Sequence, residues 1–260
     1  MLSTLCCYFV QMTAVSVVII AFNEERNIKR CIDSVKDIAD EIIVVDSFST
    51  DKTKAISLAL GAKVLEKEWK GYGDAKNFGA AGATCDFILN LDADEALSKE
   101  LRKSIADVKK NGLAGAYNFN RLTNYCGKWI RHCGWYPDRK TRVYSRLDAE
   151  WNNDAVHEKL IFNKTVSTLF LKGDLEHYSF YTIEEHKTKS KKYAELGAVK
   201  ILNRNKISLF LNMLFNPVIR FLRTYFLQLG FLDGYYGWRI CSIVSKEVFI
   251  KYRIALNSRK

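Results

Sequence analysis

Two unbroken β-branched runs, VSVVIIA at 15–21 and EIIVVD at 41–46, constrain this chain more than any other feature. Neither alternates apolar with polar residues, so each reads as a strand buried on both faces, the pattern of a parallel sheet covered by helices. Between them, Ile28, Cys31, Ile32 and Val35 share one face of a predicted helix. The alternation continues with a helix over 50–62, a short strand over 63–69, a helix over 73–83 and a strand in DFILNLDADE at 86–95. Strands alternating with helices predict an α/β fold with a mostly parallel sheet, whose ligands bind at the carboxyl ends of the strands.

Polar residues gather at those ends. The first strand stops at Phe22-Asn23-Glu24, the second at Asp46-Ser47-Phe48-Ser49 and the fourth at Asp92-Ala93-Asp94-Glu95. Helix capping is the plain alternative, and it suits Thr50 or Asp51 before KTKAI. For Asp46 and the 92–95 cluster, which sit directly at strand ends, function is the favoured reading.

A helix over 99–110 follows, and then the pattern changes. Residues 116–146 are aromatic and basic in short runs, predicting antiparallel strands and loops, with another strand pair over 166–178. Residues 184–204 read as a basic helix, and an apolar run broken by Asn212, Asn216, Pro217, Arg220, Arg223 and Gln228 occupies 207–232.

Composition adds two limits. A chain 48% hydrophobic can bury enough surface to offset its ordering entropy, which excludes disorder for most of it. The formal charge of +11 raises the question of a polyanionic partner. Residues 1–186 are close to neutral, whereas 187–260 carry fifteen Lys and Arg against Glu195, Asp233 and Glu247, so the excess lies in the tail. Seven scattered cysteines without a C-x-x-C pair read as reduced thiols, with a Cys126–Cys133 bridge as a minor alternative. The first residues, MLSTLCCYFVQM, lack the basic leader and cleavage site of a signal peptide, and both Met1 and Met12 are candidate starts.

Asp92-x-Asp94 at a strand end is the sharpest chemical constellation. Paired carboxylates suit Mg²⁺ or Mn²⁺ bound jointly with substrate phosphates, and a cation there neutralises a departing diphosphate. In the order VSVVIIAFNEERNIKRCIDSV, IIVVDSFSTDKT and FILNLDADE, the chain resembles the family 2 glycosyltransferases. The likeness continues through GWYPDRKTRVY and W-x-N-x-x-A-V-H-E, where it is most similar to lipopolysaccharide-core glucosyltransferases. The second motif departs from the commoner D-D-G-S: Ser47 replaces an acid and Phe48 a glycine.

The resemblance implies a GT-A fold, a nucleotide-diphosphate sugar donor such as a UDP-sugar, and inversion at the transferred carbon. Together with the basic tail, it divides the chain into an extension (1–13), a nucleotide-sugar half (14–100), an acceptor half (101–186) and a basic amphipathic helical tail (187–260). Ala21, Phe22, Asn23, Glu24 and Asp46 would line the nucleotide site, Lys76 would lie near the donor's phosphates or sugar, and Asp92 would contact ribose or sugar. Asp94 would be the main metal ligand. Glu95 would bind through water or touch the sugar. His157 would complete the metal shell or contact the diphosphate, with a plain orienting hydrogen bond as the alternative.

An inverting transfer needs a general base at the acceptor hydroxyl. Glu158 is the favoured candidate and Asp154 the runner-up. Arg142 and Arg139 suit phosphate recognition by their forked guanidinium groups. Trp135, Tyr136 and Trp151 are sugar-stacking candidates, with core packing as the alternative.

The tail has no uninterrupted apolar run of the roughly eighteen residues expected of a spanning helix. Its charge and aromatics suit an interfacial helix pair on an anionic membrane surface, where a lipid-linked saccharide such as lipopolysaccharide core would be the acceptor. That places the chain peripherally on the cytoplasmic face of the inner membrane, with no nucleic-acid partner. Two rival classes remain. A nucleotidyltransferase needs a glycine- and lysine-rich phosphate loop that AFNEERN does not offer, and a non-enzymatic polyanion or RNA binder leaves the strand-end acids unexplained.

Overall fold

The computed structural model describes residues 13–152 and 158–258. Asp154 and His157, and all but the last residue of the 1–13 extension, lie outside the described residues. The chain divides into two compact units. One runs up to Arg121 and includes Arg139–His177; the other comprises Leu122–Asp138 and the chain from Tyr178 onward.

In the first unit, β1 (Val15–Ala21), β2 (Glu41–Asp46), β3 (Lys63–Glu66) and β4 (Phe87–Asp92) lie in the order β3-β2-β1-β4, all parallel. Every residue of β1 is buried, as its uniform β-branched composition requires of an inner strand. Helices α1 (Ile28–Val35), α2 (Thr53–Ala59) and α3 (Tyr72–Ala81) make the crossovers. The side chains of β1 alternate between two cores. Val15, Val17 and Ile19 meet Ile28, Cys31 and Ile32 of α1 together with Leu101 and Ile105 of α4 (Lys99–Lys110). Val18 and Ile20 face Ala75 and Ala80 of α3. A Cβ on Gly79 would stand 2.3 Å from Val18 Cγ1, so glycine is what lets α3 approach the sheet this closely.

Beyond β4 the sheet turns mixed, with β8 (Asp138–Ser145) antiparallel to β4 and then β6 (Ala116–Tyr125), β11 (Thr168–Phe180) and β5 (Glu95–Leu97). Strands β9 (Ala149–Trp151) and β10 (Leu160–Phe162) form a separate antiparallel pair. The division between the units falls within β6 and β11 and after the first residue of β8.

The strand pair expected over 166–178 is instead the single long strand β11. Gly173, which reads as a turn signal, has φ +95° and sits where a Cβ would be 2.2 Å from the Leu101 nitrogen. It serves a close approach to the start of α4, where the Asp174 N–H donates to Ser98 Oγ at 3.1 Å and Ser98 also caps the helix through the Leu101 N–H.

In the second unit, β7 (Lys128–Ile130) pairs with the end of β6, and α7 (Gly234–Asn257) packs against α5 (Ile183–Val199) and α6 (Lys206–Leu222). Thr182 and Glu185 close a reciprocal cap at the start of α5. Tyr125, Ile130, Cys133, Ile240 and Cys241 form one small core, and Ala198, Leu209, Tyr252 and Ala255 another. Trp135 packs on the first of these cores against Tyr125, Phe180 and His186. Among the described residues, no helix is long and apolar enough to cross a membrane.

Candidate active site

Parallel register brings the three polar strand ends together. Ala21 pairs with Asp46, and Ile20 pairs with Asp92, so residues 21–24, 46–49 and 92–95 emerge from neighbouring strands at one edge of the sheet. The loops after β1 and β2 are stitched to each other. The Asn23 N–H donates to Ser49 Oγ at 2.9 Å, the Thr50 N–H donates to Asn23 Oδ1 at 2.8 Å, and the Glu24 N–H donates to Thr53 Oγ1 at 2.7 Å. Asp46 is buried and accepts from both the N–H and the hydroxyl of Ser49. Asp51 accepts from the Thr53 N–H at 2.9 Å, but the N-cap of α2 is Lys52, not the expected Thr50 or Asp51, and it has no side-chain capping bond.

Two residues of these loops, Asn23 (φ 54°) and Phe48 (φ 59°), hold left-handed backbone conformations. Asn tolerates that region, whereas Phe does not favour it. Phe48 therefore keeps the backbone shape that glycine would supply in the commoner motif, with the residue 57% exposed. Phe22 is also exposed.

Beside these loops lies a buried charge network. Lys76 is 0% exposed; its Nζ is 2.9 Å from Glu158 Oε1, 3.3 Å from Asp92 Oδ1 and 4.6 Å from the centroid of the Trp151 ring. Arg142, also buried, donates from Nη2 to Asp92 Oδ2 at 3.2 Å and to Glu95 Oε1 at 3.0 Å. Arg121 reaches Glu95 at 3.4 Å, and Glu95 in turn accepts from the Asp92 N–H at 3.0 Å. Burial alone would raise the Asp92 carboxyl, but Lys76 and Arg142, with Arg121 and His177 adding, hold it well below the ordinary carboxylate range. Burial would likewise lower the Arg142 guanidinium, yet Glu95 and Asp92 keep it above its usual value.

The network rests on a second, neutral one. Trp151 Nε1 donates to Asn90 Oδ1 at 2.9 Å and lies 2.9 Å from the Tyr144 hydroxyl, while Asn77 exchanges hydrogen bonds with the Trp151 backbone at 2.7 and 2.8 Å. Trp151 is thus a buried wall over Lys76, without an open face for a sugar ring. Asn152 and Lys159 bond to each other at 2.9 and 2.8 Å, and Glu158, next to Lys159, lies beside Lys76.

The sequence-derived set therefore separates. Asp92, Glu95, Lys76, Arg142 and Glu158 meet in one cluster, and Ala21–Glu24 with Asp46 form the adjoining loop pair. Arg139 stands apart, its guanidinium 5.3 Å from the Phe170 ring.

Asp94 has a partner that sequence reading missed. His177 Nε2 lies 3.2 Å from Asp94 Oδ2, because β11 pairs with β5 so that His177 stands opposite Glu95. The only prior signal was a histidine in a strand, LEHY, with nothing to fix its register. The Asp94 carboxylate is an oxygen donor of the kind Mg²⁺ and Mn²⁺ take, whereas the His177 imidazole is a nitrogen donor that suits a transition metal better than Mg²⁺. Asp92, by contrast, is occupied by two cationic side chains. Among the described residues no group of three such side chains could hold an ion alone.

Comparison with known proteins places the chain's sequence in a family. The family model described as Glycosyl transferase family 2 matches residues 16–172. An uncharacterized glycosyltransferase of Rickettsia typhi is 33% identical over 244 residues, covering 87% of this chain and 81% of that protein. The lipopolysaccharide core biosynthesis glycosyltransferase LpsC of Rhizobium meliloti is 29% identical over 222 residues, covering 81% and 80% respectively. Among solved structures, glucosyl-3-phosphoglycerate synthase from Mycobacterium tuberculosis, in complex with Mn²⁺, UDP and glucosyl-3-phosphoglycerate, is similar at a TM-score of 0.40 and 23% identity. That match covers 52% of this chain and 57% of that one. On the extent of the family match and the identity to the Rickettsia protein, the chain belongs to glycosyl transferase family 2.

Proposed function

We propose that the chain transfers a sugar, with inversion, from a UDP-type nucleotide-sugar donor to a lipid-linked saccharide of the lipopolysaccharide-core kind. The observation that carries this is the placement of Asp46 and of the Asp92–Asp94 segment at the ends of strands that flank β1, with Glu158 linked to Asp92 through Lys76. The name of the Rhizobium relative supports the acceptor class.

The 21–24 and 46–49 loops receive the nucleoside, with Asp46 facing the base. Lys76, Arg142 and Asp92 fix the electrostatics beside the donor's sugar and phosphates. Asp94 and His177 hold a divalent cation, which when bound neutralises the leaving diphosphate. His157 and Asp154 remain candidates for the metal shell and the alternative base. Glu158 accepts the proton of the acceptor hydroxyl as that oxygen bonds to the anomeric carbon and the carbon–diphosphate bond breaks. The basic helical tail, residues 187–260, holds the chain peripherally on an anionic membrane surface where such an acceptor resides.

Thermal shift with UDP and Mn²⁺ against RNA tests the class. Metal-dependent stabilisation by UDP is expected, and a response to RNA alone would overturn the reading. Glu158→Gln should lower turnover by at least a hundredfold, the scale of general-base catalysis, while UDP binding changes little. Turnover that survives the substitution would remove Glu158 from the role.

A further inference from the structure

Helix α6 carries one polar row, Ser208, Asn212, Asn216 and Arg220, and is apolar over the rest of its surface, a wider apolar face than one packed side accounts for. Its inner side is accounted for. Leu209 is buried with Tyr252 and Ala255 of α7, Asn216 Nδ2 donates to the Tyr252 hydroxyl at 3.0 Å, and Ser245 Oγ donates to the Pro217 carbonyl at 2.6 Å. Leu209 is nevertheless the only fully buried residue of the seventeen. The outward side carries Leu211, Phe215, Val218, Ile219 and Leu222 at helical spacing, with Phe215 60% and Ile219 58% exposed, and the apolar surface continues through Leu227 and Leu232 in the turns that follow.

Charge selects what covers this face. No Asp or Glu occurs from residue 196 to residue 232. Exposed Arg204 and Lys206 flank one end of α6, and exposed Arg220 and Arg223 the other. A second copy seated face to face would bring like charges together. A lipid surface with anionic headgroups instead meets the apolar stripe with acyl chains and the four cations with phosphates. The helix is about 25 Å long at 1.5 Å per residue, too short to span a bilayer and suited to lying in its plane.

We infer that the outward face of α6 and the turns after it, Ile207 to Leu232, form the element of the second unit that embeds in an anionic membrane, with α5 and α7 as its support. This rests on the membrane association proposed for the tail and assigns it to one face.

Flotation of the full chain with phosphatidylcholine vesicles, with and without phosphatidylglycerol, tests it. Phe215→Glu combined with Ile219→Glu should weaken vesicle binding at least tenfold, whereas Leu196→Glu, an exposed site on α5, should change it less than twofold. Arg220→Gln with Arg223→Gln should remove mainly the phosphatidylglycerol-dependent part, on the order of fivefold per charge. The thermal response to UDP and Mn²⁺ should persist in each variant. Wild-type vesicle binding by the Phe215/Ile219 variant would overturn the inference. So would failure of the unmodified chain to bind vesicles, or a dimer that these substitutions dissociate without loss of vesicle binding. A chain without a UDP response that still binds vesicles through Phe215 and Ile219 would sink the catalytic reading alone and support this one.

Discussion

Lys76 and Glu158, eighty-two residues apart in the chain, meet at 2.9 Å with the lysine wholly buried. The same ammonium lies 3.3 Å from Asp92, so one cation serves two carboxylates from different segments. Removing it takes from both acids the cation they share. Lys76→Met should cost about 2–3 kcal/mol in urea denaturation, somewhat below the cost of breaking a fully buried pair because both acids are partly exposed. An unchanged midpoint would show that the pair contributes nothing to stability.

Acid should act through Asp92. Its folded-state carboxyl lies well below the ordinary value because Lys76 and Arg142 overcome the effect of burial. The stability it contributes is therefore present above the unfolded carboxylate value of about 3.9 and is lost as pH falls below that toward the folded value. Denaturation midpoints measured from pH 6 to pH 2.5 should fall less steeply in Asp92→Asn than in the unmodified chain. Equal slopes would contradict this.

His186 gives a second, distinct acid response within the other unit. Burial, with Lys189 adding, pushes its imidazole down to about 4, and the ring bonds to the Tyr125 hydroxyl at 3.0 Å. The unfolded chain takes up a proton near pH 6.5 and the folded one does not, so stability is full above that value and declines as pH falls toward 4. The expected loss is about 2–3 kcal/mol. His186→Gln should flatten that window, as read by the tryptophan fluorescence of Trp135 during denaturation.

The left-handed backbone at Phe48 should be relieved by glycine. Phe48→Gly should raise stability by about 0.5–1 kcal/mol, the strain removed exceeding the added freedom of the unfolded chain, and Phe48→Val should lower it by about 1 kcal/mol. Calorimetric melting distinguishes them; a destabilised glycine variant would mean that the exposed ring packs more than its exposure implies.

His177→Gln should abolish the Mn²⁺-dependent part of the UDP thermal shift, at a metal-free cost of about 1 kcal/mol, the ordinary scale for a point substitution. A retained metal response would leave Asp94 without this partner.

Local pattern determined the parallel core. The β-branched runs at 15–21 and 41–46 became β1 and β2 with the expected bounds, and the helix over 99–110 became α4, because burial on both faces and helical periodicity are written in adjacent residues. The polar strand ends were legible for the same reason. What the sequence could not supply was register and approach between distant segments. Gly173 spells a turn locally yet sits inside β11, since only the neighbouring start of α4 explains a missing Cβ there. His177 reaches Asp94 through the pairing of β11 with β5, and Lys76 becomes the shared partner of Asp92 and Glu158 only when α3, β4 and the segment after β9 converge. The chemistry at each strand end is a local property of the chain. Which charges face one another is a property of strand order and packing, fixed by tertiary contacts that no short window of residues contains.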